Sequence, residues 1–125
     1  MASNASRGAA AKARTKKWLQ ECGYLVADME KMYFIWTPKG RIPVKRDQLG
    51  ADLLALLPAV GLRFPGPYPF RSDVVFVQVK SGASARIGNF PAARRAYAEY
   101  PVCASVEQVV IAWAPRARHP RIVVM

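Results

Sequence analysis

Acidic residues are scarce in this chain. Eight Asp and Glu stand against nineteen Lys and Arg in 125 residues, so the formal net charge is +11 and the isoelectric point lies near 10.3. The first acidic residue is Glu21, and every charged residue before it is basic. An excess of positive charge this large is typical of a protein whose partner carries phosphates, most often nucleic acid.

Histidine and cysteine are too few for a zinc site or a disulfide framework. The chain has one histidine, His119, and two cysteines, Cys22 and Cys103, without the spacing of metal ligands. Nothing in the sequence indicates an oxidising compartment. We therefore expect both cysteines to be buried, reduced thiols of a cytoplasmic protein.

Long hydrophobic runs are absent as well. The most apolar stretch, residues 49–62, is interrupted by Asp52 and Pro58, whereas a membrane-spanning helix needs about 20 apolar residues. The N-terminal segment lacks the apolar part of a secretory signal, and its Ala, Arg and Ser bias fits an amphipathic helix better than a transit peptide. We expect no membrane partner.

The length and the pattern of elements predict one domain of mixed class. A chain of 125 residues fits a single domain over 1–125, in which we expect residues 1–7 to form a flexible tail. The fold class that follows from the elements is α/β (mixed α+β), a central mixed β-sheet flanked by helices. Periodicity and turn residues predict a helix over 8–22, strands over 24–29 and 32–37, a basic connector over 40–50, a strand or helix fragment over 51–57, a proline-rich loop over 58–72, a strand over 73–80, a polar loop over 81–89, a helix over 90–100 capped by Asn89, and strands over 108–114 and 121–125.

Residues 76–82, FVQVKSG, put a glutamine and a lysine into an apolar strand. Because alternate residues of a strand share a face, Gln78 and Lys80 point to the same side. Asp52 is similarly out of place, since it heads the apolar run LLALL. Buried charges are costly unless they are paired or hold an ion. One interpretation is a salt bridge between Asp52 and Lys80, with Gln78 capping a backbone group, and the other is a functional site.

The order of these features resembles the PD-(D/E)xK nuclease superfamily, and most of all its small Holliday-junction-resolvase-like members. The likeness covers most of the chain: a helix ending in ECGYLV, an aspartate in GADLLAL, the strand VVFVQVKSG, then an arginine-bearing helix and a strand. It implies an αβββαβ restriction-endonuclease-like core. It also implies a metal-dependent endonuclease that hydrolyses phosphodiester bonds in branched DNA, such as a Holliday junction, and that acts as a homodimer.

The resemblance also implies roles for individual residues. Asp52, Gln78 and Lys80 correspond to the catalytic set. Asp52, the amide oxygen of Gln78 and the carbonyl of Val79 would bind Mg²⁺, or Mn²⁺ in its place, which prefer hard oxygen ligands. Lys80 would orient or deprotonate the attacking water.

Three departures from the family pattern bear on this site. Gln78 stands where the motif has a second acid, and Ala51 precedes Asp52 where the motif has proline. Resolvase-like relatives often carry a glutamate in the first helix, whereas residues 9–17 here include no acid and Glu21 lies near the end of the helix. Glu21 and Asp47 are therefore candidate replacement carboxylates, although Glu21 is also consistent with a solvent-facing acid and Asp47 with a loop residue.

The basic residues predict a track for phosphates, and Trp36 is the aromatic side chain that we expect to stack on bases, whereas Trp18 and Trp113 fit a core. The alternative to an endonuclease is a catalytically weak or inactive nucleic-acid-binding protein with the nuclease fold, and a third is a small structural protein of a phage or ribonucleoprotein. The residues that we expect to contact nucleic acid are Lys12, Lys16, Lys17, Lys45, Arg46, Arg86, Arg94 and Arg95.

Overall fold

Two helices and two β-sheets of unequal size organise the chain. The computed structural model describes residues 4–58, 68–86 and 90–125. The elements in these ranges are α1 (Asn4–Glu21), β1 (Leu25–Asp28), β2 (Glu30–Thr37), β3 (Gly40–Asp47), β4 (Leu53–Leu56), β5 (Val74–Ser81), a 3-10 helix (Gly82–Arg86), α2 (Pro91–Ala98), β6 (Val106–Trp113) and β7 (Arg121–Val124).

The larger sheet is mixed, as the sequence predicts. Its strand order is β1-β4-β5-β6-β7, and only β5 and β6 run parallel. A parallel connection needs a crossover, and α2 lies in the segment that links these two strands. The expectation of a mixed α/β fold with helices on a central sheet is confirmed. β2 and β3 pair only with each other and form a separate antiparallel ribbon.

Alternation along β5 divides the core between the two faces of the sheet. Val75 and Val77 are fully buried on the face that α1 covers, together with Leu19. On the opposite face, the residues next to α2 form a second, smaller cluster around Phe90 and Val110. Gln78 lies on this second face, because it pairs in register with Val110. The two faces therefore give the glutamine and the valines of one strand different environments.

The first helix packs through residues spaced four apart. Thr15 and Leu19 have no exposed surface. The Thr15 hydroxyl donates to the Ala11 carbonyl at 2.8 Å and accepts from Nε1 of Trp113 at 2.7 Å. The helix ends at Glu21, and Gly23 terminates it with a φ of +98°, while the N–H groups of Gly23 and Tyr24 bond back to the carbonyls of Gln20 and Leu19 as in a Schellman cap. Helix and sheet are thus joined by a buried polar pair inside an apolar contact.

The structure corrects the sequence expectations most clearly at residues 40–47. We predicted a basic connector, but Gly40–Asp47 is a strand that pairs with β2 along its whole length. Ile42 and Val44 provide the β-branched alternation of a strand, which the density of basic residues obscured. Pro38 and Lys39 form the two-residue turn, and Gly40 follows it with a φ of +110°.

The structure also bears on several smaller predictions from the sequence. Residues 51–57 contain a strand, and Trp113 and Trp18 belong to the core. Residues 82–86 form a 3-10 helix rather than a loop. Cys103 is exposed and Cys22 half-buried, so the expectation of two buried thiols is wrong, although both are free. Residues 4–7 are helical, while the flexibility of the N-terminal tail stays a prediction. Asn89 and most of the proline-rich loop lie outside the described residues.

The Thr15–Trp113 bond yields a stability prediction. Thr15→Val keeps the shape of the side chain but leaves the buried indole N–H without its acceptor, so we expect the free energy of unfolding to fall by about 1–3 kcal/mol. Thr15→Ser, which keeps the hydroxyl, is the matched control. Urea denaturation of the three proteins measures the difference, and an unchanged midpoint for Thr15→Val would contradict this account.

Candidate metal centre and basic cleft

Asp52 is held where the backbone pairing of β4 and β5 ends. Its N–H donates to the Val77 carbonyl at 2.8 Å, and its carbonyl accepts from the N–H of Met29 at 2.9 Å. Its carboxylate Oδ2 accepts from the N–H of Val79 at 2.7 Å. The carboxylate thus takes the place of the next backbone acceptor, so its position is fixed by the sheet and it lies beside the strand segment that carries Gln78 and Lys80.

Three carboxylates converge at this point. Glu30, Asp47 and Asp52 each offer an oxygen, and these oxygens all lie within 4.8 Å of one another. Glu30 and Asp47 face each other in register at the base of the β2–β3 ribbon. Such a group of hard oxygen donors could hold a metal ion. We call these three residues the carboxylate cluster.

A tight turn connects the ribbon to Asp52 and presses against α2. Leu49 and Gly50 have φ values of +55° and +76°, and the N–H of Ala51 bonds to the carbonyl of Gln48. A Cβ on Gly50 would lie 3.2 Å from the Ala96 carbonyl oxygen. Only glycine therefore combines this backbone conformation with such close packing. The turn brings the end of β3 back to the end of β4, which places Asp47 beside Asp52.

The electrostatics of the cluster follow from its excess of negative charge. Loss of solvation, a hydrogen bond to Asp52 and the charges of Asp52 and Glu30 raise the pKa of Asp47 to about 7. Lys12 partly compensates, since its Nζ lies 2.7 Å from Asp28 and 3.0 Å from Glu30. Burial lowers the pKa of Lys12, but the hydrogen bonds to these two acids outweigh burial and raise it.

The two unusual residues of β5 lie in different surroundings. Gln78 is buried, and its Nε2 donates to the Gly50 carbonyl at 2.5 Å, so it caps a backbone group of the turn. Lys80 is half-buried near the end of the strand. No salt bridge joins Lys80 to Asp52 in the described residues, in contrast to Lys12, which pairs with Asp28 and Glu30. The roles of Gln78, Val79 and Lys80 toward a metal or water stay predictions.

Sequence reasoning missed Glu30 and treated Asp47 as a secondary candidate. The register of the ribbon is the signal that would have found both, because pairing β2 with β3 across the Pro38-Lys39 turn brings residue 30 opposite residue 47. Glu21, the other candidate replacement carboxylate, is exposed at the end of α1 and does not belong to the cluster.

Part of the expected phosphate track converges on one cleft. Lys12, Lys16 and Lys45 line a cleft of about 550 Å³ between α1, β1 and the base of the ribbon, and the acids Asp28 and Glu30, both paired with Lys12, line it as well. We call it the basic cleft. The other expected contacts lie elsewhere: Lys17 lines a separate pocket, Arg46 lies over the Tyr33 ring on the opposite side of the ribbon, Arg94 and Arg95 are exposed on α2, and the Arg86 side chain lies outside the described part of the structure.

Comparisons with protein-family models, with curated proteins and with solved structures found no significant match to this chain. None of the helices in the described ranges is both long and apolar enough to cross a membrane.

The raised pKa of Asp47 predicts how stability depends on pH. Between about pH 4 and 7 the folded chain keeps a proton on Asp47 that the unfolded chain has released, so in EDTA this group makes stability fall as pH rises through that window. Asp47→Asn should flatten this fall, whereas Asp73→Asn, at an exposed acid before β5, should not. Melting temperatures across the window measure the effect, and parallel curves for wild type and Asp47→Asn would contradict it.

The bond between Gln78 and Gly50 predicts the effect of restoring the family's acid. Gln78→Glu removes the hydrogen-bond donor and points a buried carboxylate at the Gly50 carbonyl. We therefore expect the free energy of unfolding, measured in EDTA, to fall by about 1–3 kcal/mol or more. Gln78→Met, which removes the donor without adding charge, is the control. If residue 78 is instead a metal ligand, Mg²⁺ will stabilise Gln78→Glu more than it stabilises the wild type, and the melting temperatures will show it.

Proposed function

We propose that the chain is a metal-dependent endonuclease that hydrolyses phosphodiester bonds in DNA, with a preference for branched structures. The observation that carries the proposal is the convergence of Asp52 with two further carboxylates beside a strand that ends in Lys80. A net charge of +11 supports a polyanionic substrate. A homodimer working in the cytoplasm would fit the cutting of two strands of one junction.

The donor set of the cluster fits a hard divalent cation. Three carboxylates with oxygens within 4.8 Å of one another suit Mg²⁺ or Mn²⁺ better than a soft metal. Glu30, Asp47 and Asp52 would hold the ion. Such an ion polarises a phosphate and lowers the pKa of a bound water. Asp47 and Glu30 then supply the negative charge that Gln78 does not, which answers the departure from the family pattern at that position.

The protein's own groups divide the remaining tasks. The Val79 N–H fixes the orientation of the Asp52 carboxylate. Lys80, which has no salt bridge to a described acid, is available to orient the attacking water or to offset charge on the phosphate. Lys12, Lys16 and Lys45 line the basic cleft and would bind neighbouring phosphates.

The order of elements is consistent with the family resemblance. Without the β2–β3 ribbon and β7, the described chain runs helix, three strands, helix, strand. This is the αβββαβ order that the resemblance implies, with the ribbon inserted between the first two strands. The ribbon supplies two carboxylates that the family pattern would take from other positions, which supports a site of the same kind built from different residues.

Cleavage assays test the proposal directly. We expect the protein to cut labelled four-way junctions in Mg²⁺ or Mn²⁺ and not in EDTA, with flap, duplex and single-stranded DNA as comparison substrates. Asp52→Asn should abolish cleavage, and Lys80→Ala should reduce it by about 100-fold or more, both with binding retained. Asp73→Asn is the matched acidic control.

The same assays identify the alternative. Tight, salt-dependent binding without cleavage in any metal would mean that the chain is a nucleic-acid-binding protein with a nuclease-like fold. Cleavage that survives Asp52→Asn would show that the carboxylate cluster is not the catalytic centre.

A further inference from the structure

The β2–β3 ribbon exposes large apolar side chains that the core does not use. Trp36 is 81% exposed, Phe34 53% and Met32 48%. By contrast, Trp113 is buried and Trp18 packs against the core. Among the described strands, the ribbon forms no ladder with any strand of the larger sheet. Exposed apolar surface of this kind in a ribbon marks a binding surface more often than a packing defect.

Register divides the ribbon into two faces, and one of them has a distinct composition. Met32 is opposite Lys45, Phe34 is opposite Pro43, and Trp36 is opposite Arg41. Because alternate residues share a face, these six side chains lie together. We call this group the aromatic face. Glu30 and Asp47 continue the same face at the base of the ribbon, so the aromatic face ends at the carboxylate cluster.

The charge on the ribbon favours a polyanion. Between the two acids at its base, every charged residue of the ribbon is basic, and these are Lys31, Lys39, Arg41, Lys45 and Arg46. Lys45 belongs to the aromatic face and also lines the basic cleft with Lys12 and Lys16. Lys31 and Arg46 lie on the opposite face, so on the aromatic face the positive charge comes from Arg41 near the tip and from Lys45 beside the cleft.

The aromatic face has the groups that hold unstacked bases. The Arg41 guanidinium lies over the Phe34 ring, 4.2 Å from its centroid, and Trp36 adds a second, largely exposed ring. Bases of single strands stack on aromatic rings and on arginine planes. Neighbouring side chains on one face of a strand are about 7 Å apart. Stacked bases of DNA are roughly 3.4 Å apart. Two bases that each stack on one of these side chains therefore cannot stack directly on each other, as they do in a duplex.

We propose that the aromatic face binds an unpaired single strand of DNA and guides it along the basic cleft to the carboxylate cluster. The guiding role rests on the proposed endonuclease function, whereas binding of the strand does not. A second copy of the chain is a weaker candidate for the occupant, because the ribbon carries five basic residues against the two acids at its base and would repel the same ribbon of a copy.

Binding in EDTA, where no cleavage is expected, isolates this proposal. Fluorescence anisotropy with a labelled single-stranded oligonucleotide and with the same sequence as duplex should show tighter binding of the single strand. Trp36→Ala and Phe34→Ala should each weaken single-strand binding by about 5-fold or more. Ile35→Ala and Ile42→Ala change exposed residues of the opposite face and serve as matched controls that should bind within about 2-fold of wild type. Circular dichroism checks that each variant is folded.

Three outcomes would overturn the proposal. One is equal affinity for single strand and duplex, a second is unchanged binding by Trp36→Ala and Phe34→Ala, and a third is a dimer in sedimentation that Trp36→Ala dissociates, which would make the face a contact between copies. If Trp36→Ala and Phe34→Ala lose single-strand binding but the wild-type protein cleaves no DNA, the aromatic face is supported and the endonuclease is rejected. If the wild type cleaves junctions but these two variants bind the single strand as well as it does, the endonuclease is supported and the aromatic face is rejected.

Discussion

The hydrogen bond between the Val79 N–H and the Asp52 carboxylate is the interaction on which the site depends. β4 begins at Leu53. At the residue before it, Asp52, a carboxylate oxygen rather than a backbone carbonyl accepts the hydrogen bond from the Val79 N–H of β5. The bond fixes one carboxylate rigidly against the central strand. The turn at Gly50 and the two acids of the ribbon, Glu30 and Asp47, lie next to this fixed carboxylate.

The carboxylate cluster also brings like charges close together, which is electrostatically unfavourable. Three carboxylates meet in a chain that has few acids, and only Lys12 pairs with one of them, Glu30, in the described residues. One of the acids, Asp47, therefore has a pKa near neutrality, about 7. Three lysines, Lys12, Lys16 and Lys45, line the neighbouring cleft, and of these Lys12 pairs with Glu30. A metal ion bound by the three carboxylates would offset this concentration of negative charge.

Sequence reasoning reached the fold class and Asp52, but it did not reach the full cluster. The apolar strands and the amphipathic first helix carry strong periodicity, which is local and can be read directly. Glu30 and Asp47 come together through the register of a hairpin whose second strand contains Pro43 and three basic residues, a composition that hides its alternation. Similarly, nothing local to Gln78 indicates that its amide nitrogen bonds to Gly50, since that contact depends on the turn's packing against α2.

The origin of the three carboxylates has a consequence for the ribbon itself. Two of them belong to the ribbon and one to the edge of the large sheet, and a two-stranded hairpin is marginally stable alone. A cation shared among them would act as a cross-link between the sheet and the ribbon and would restrict the motion of the ribbon as a disulfide would. The orientation of the ribbon and the occupancy of the metal site would then be thermodynamically linked. A DNA strand bound on the ribbon and an ion bound at its base would therefore each strengthen the binding of the other.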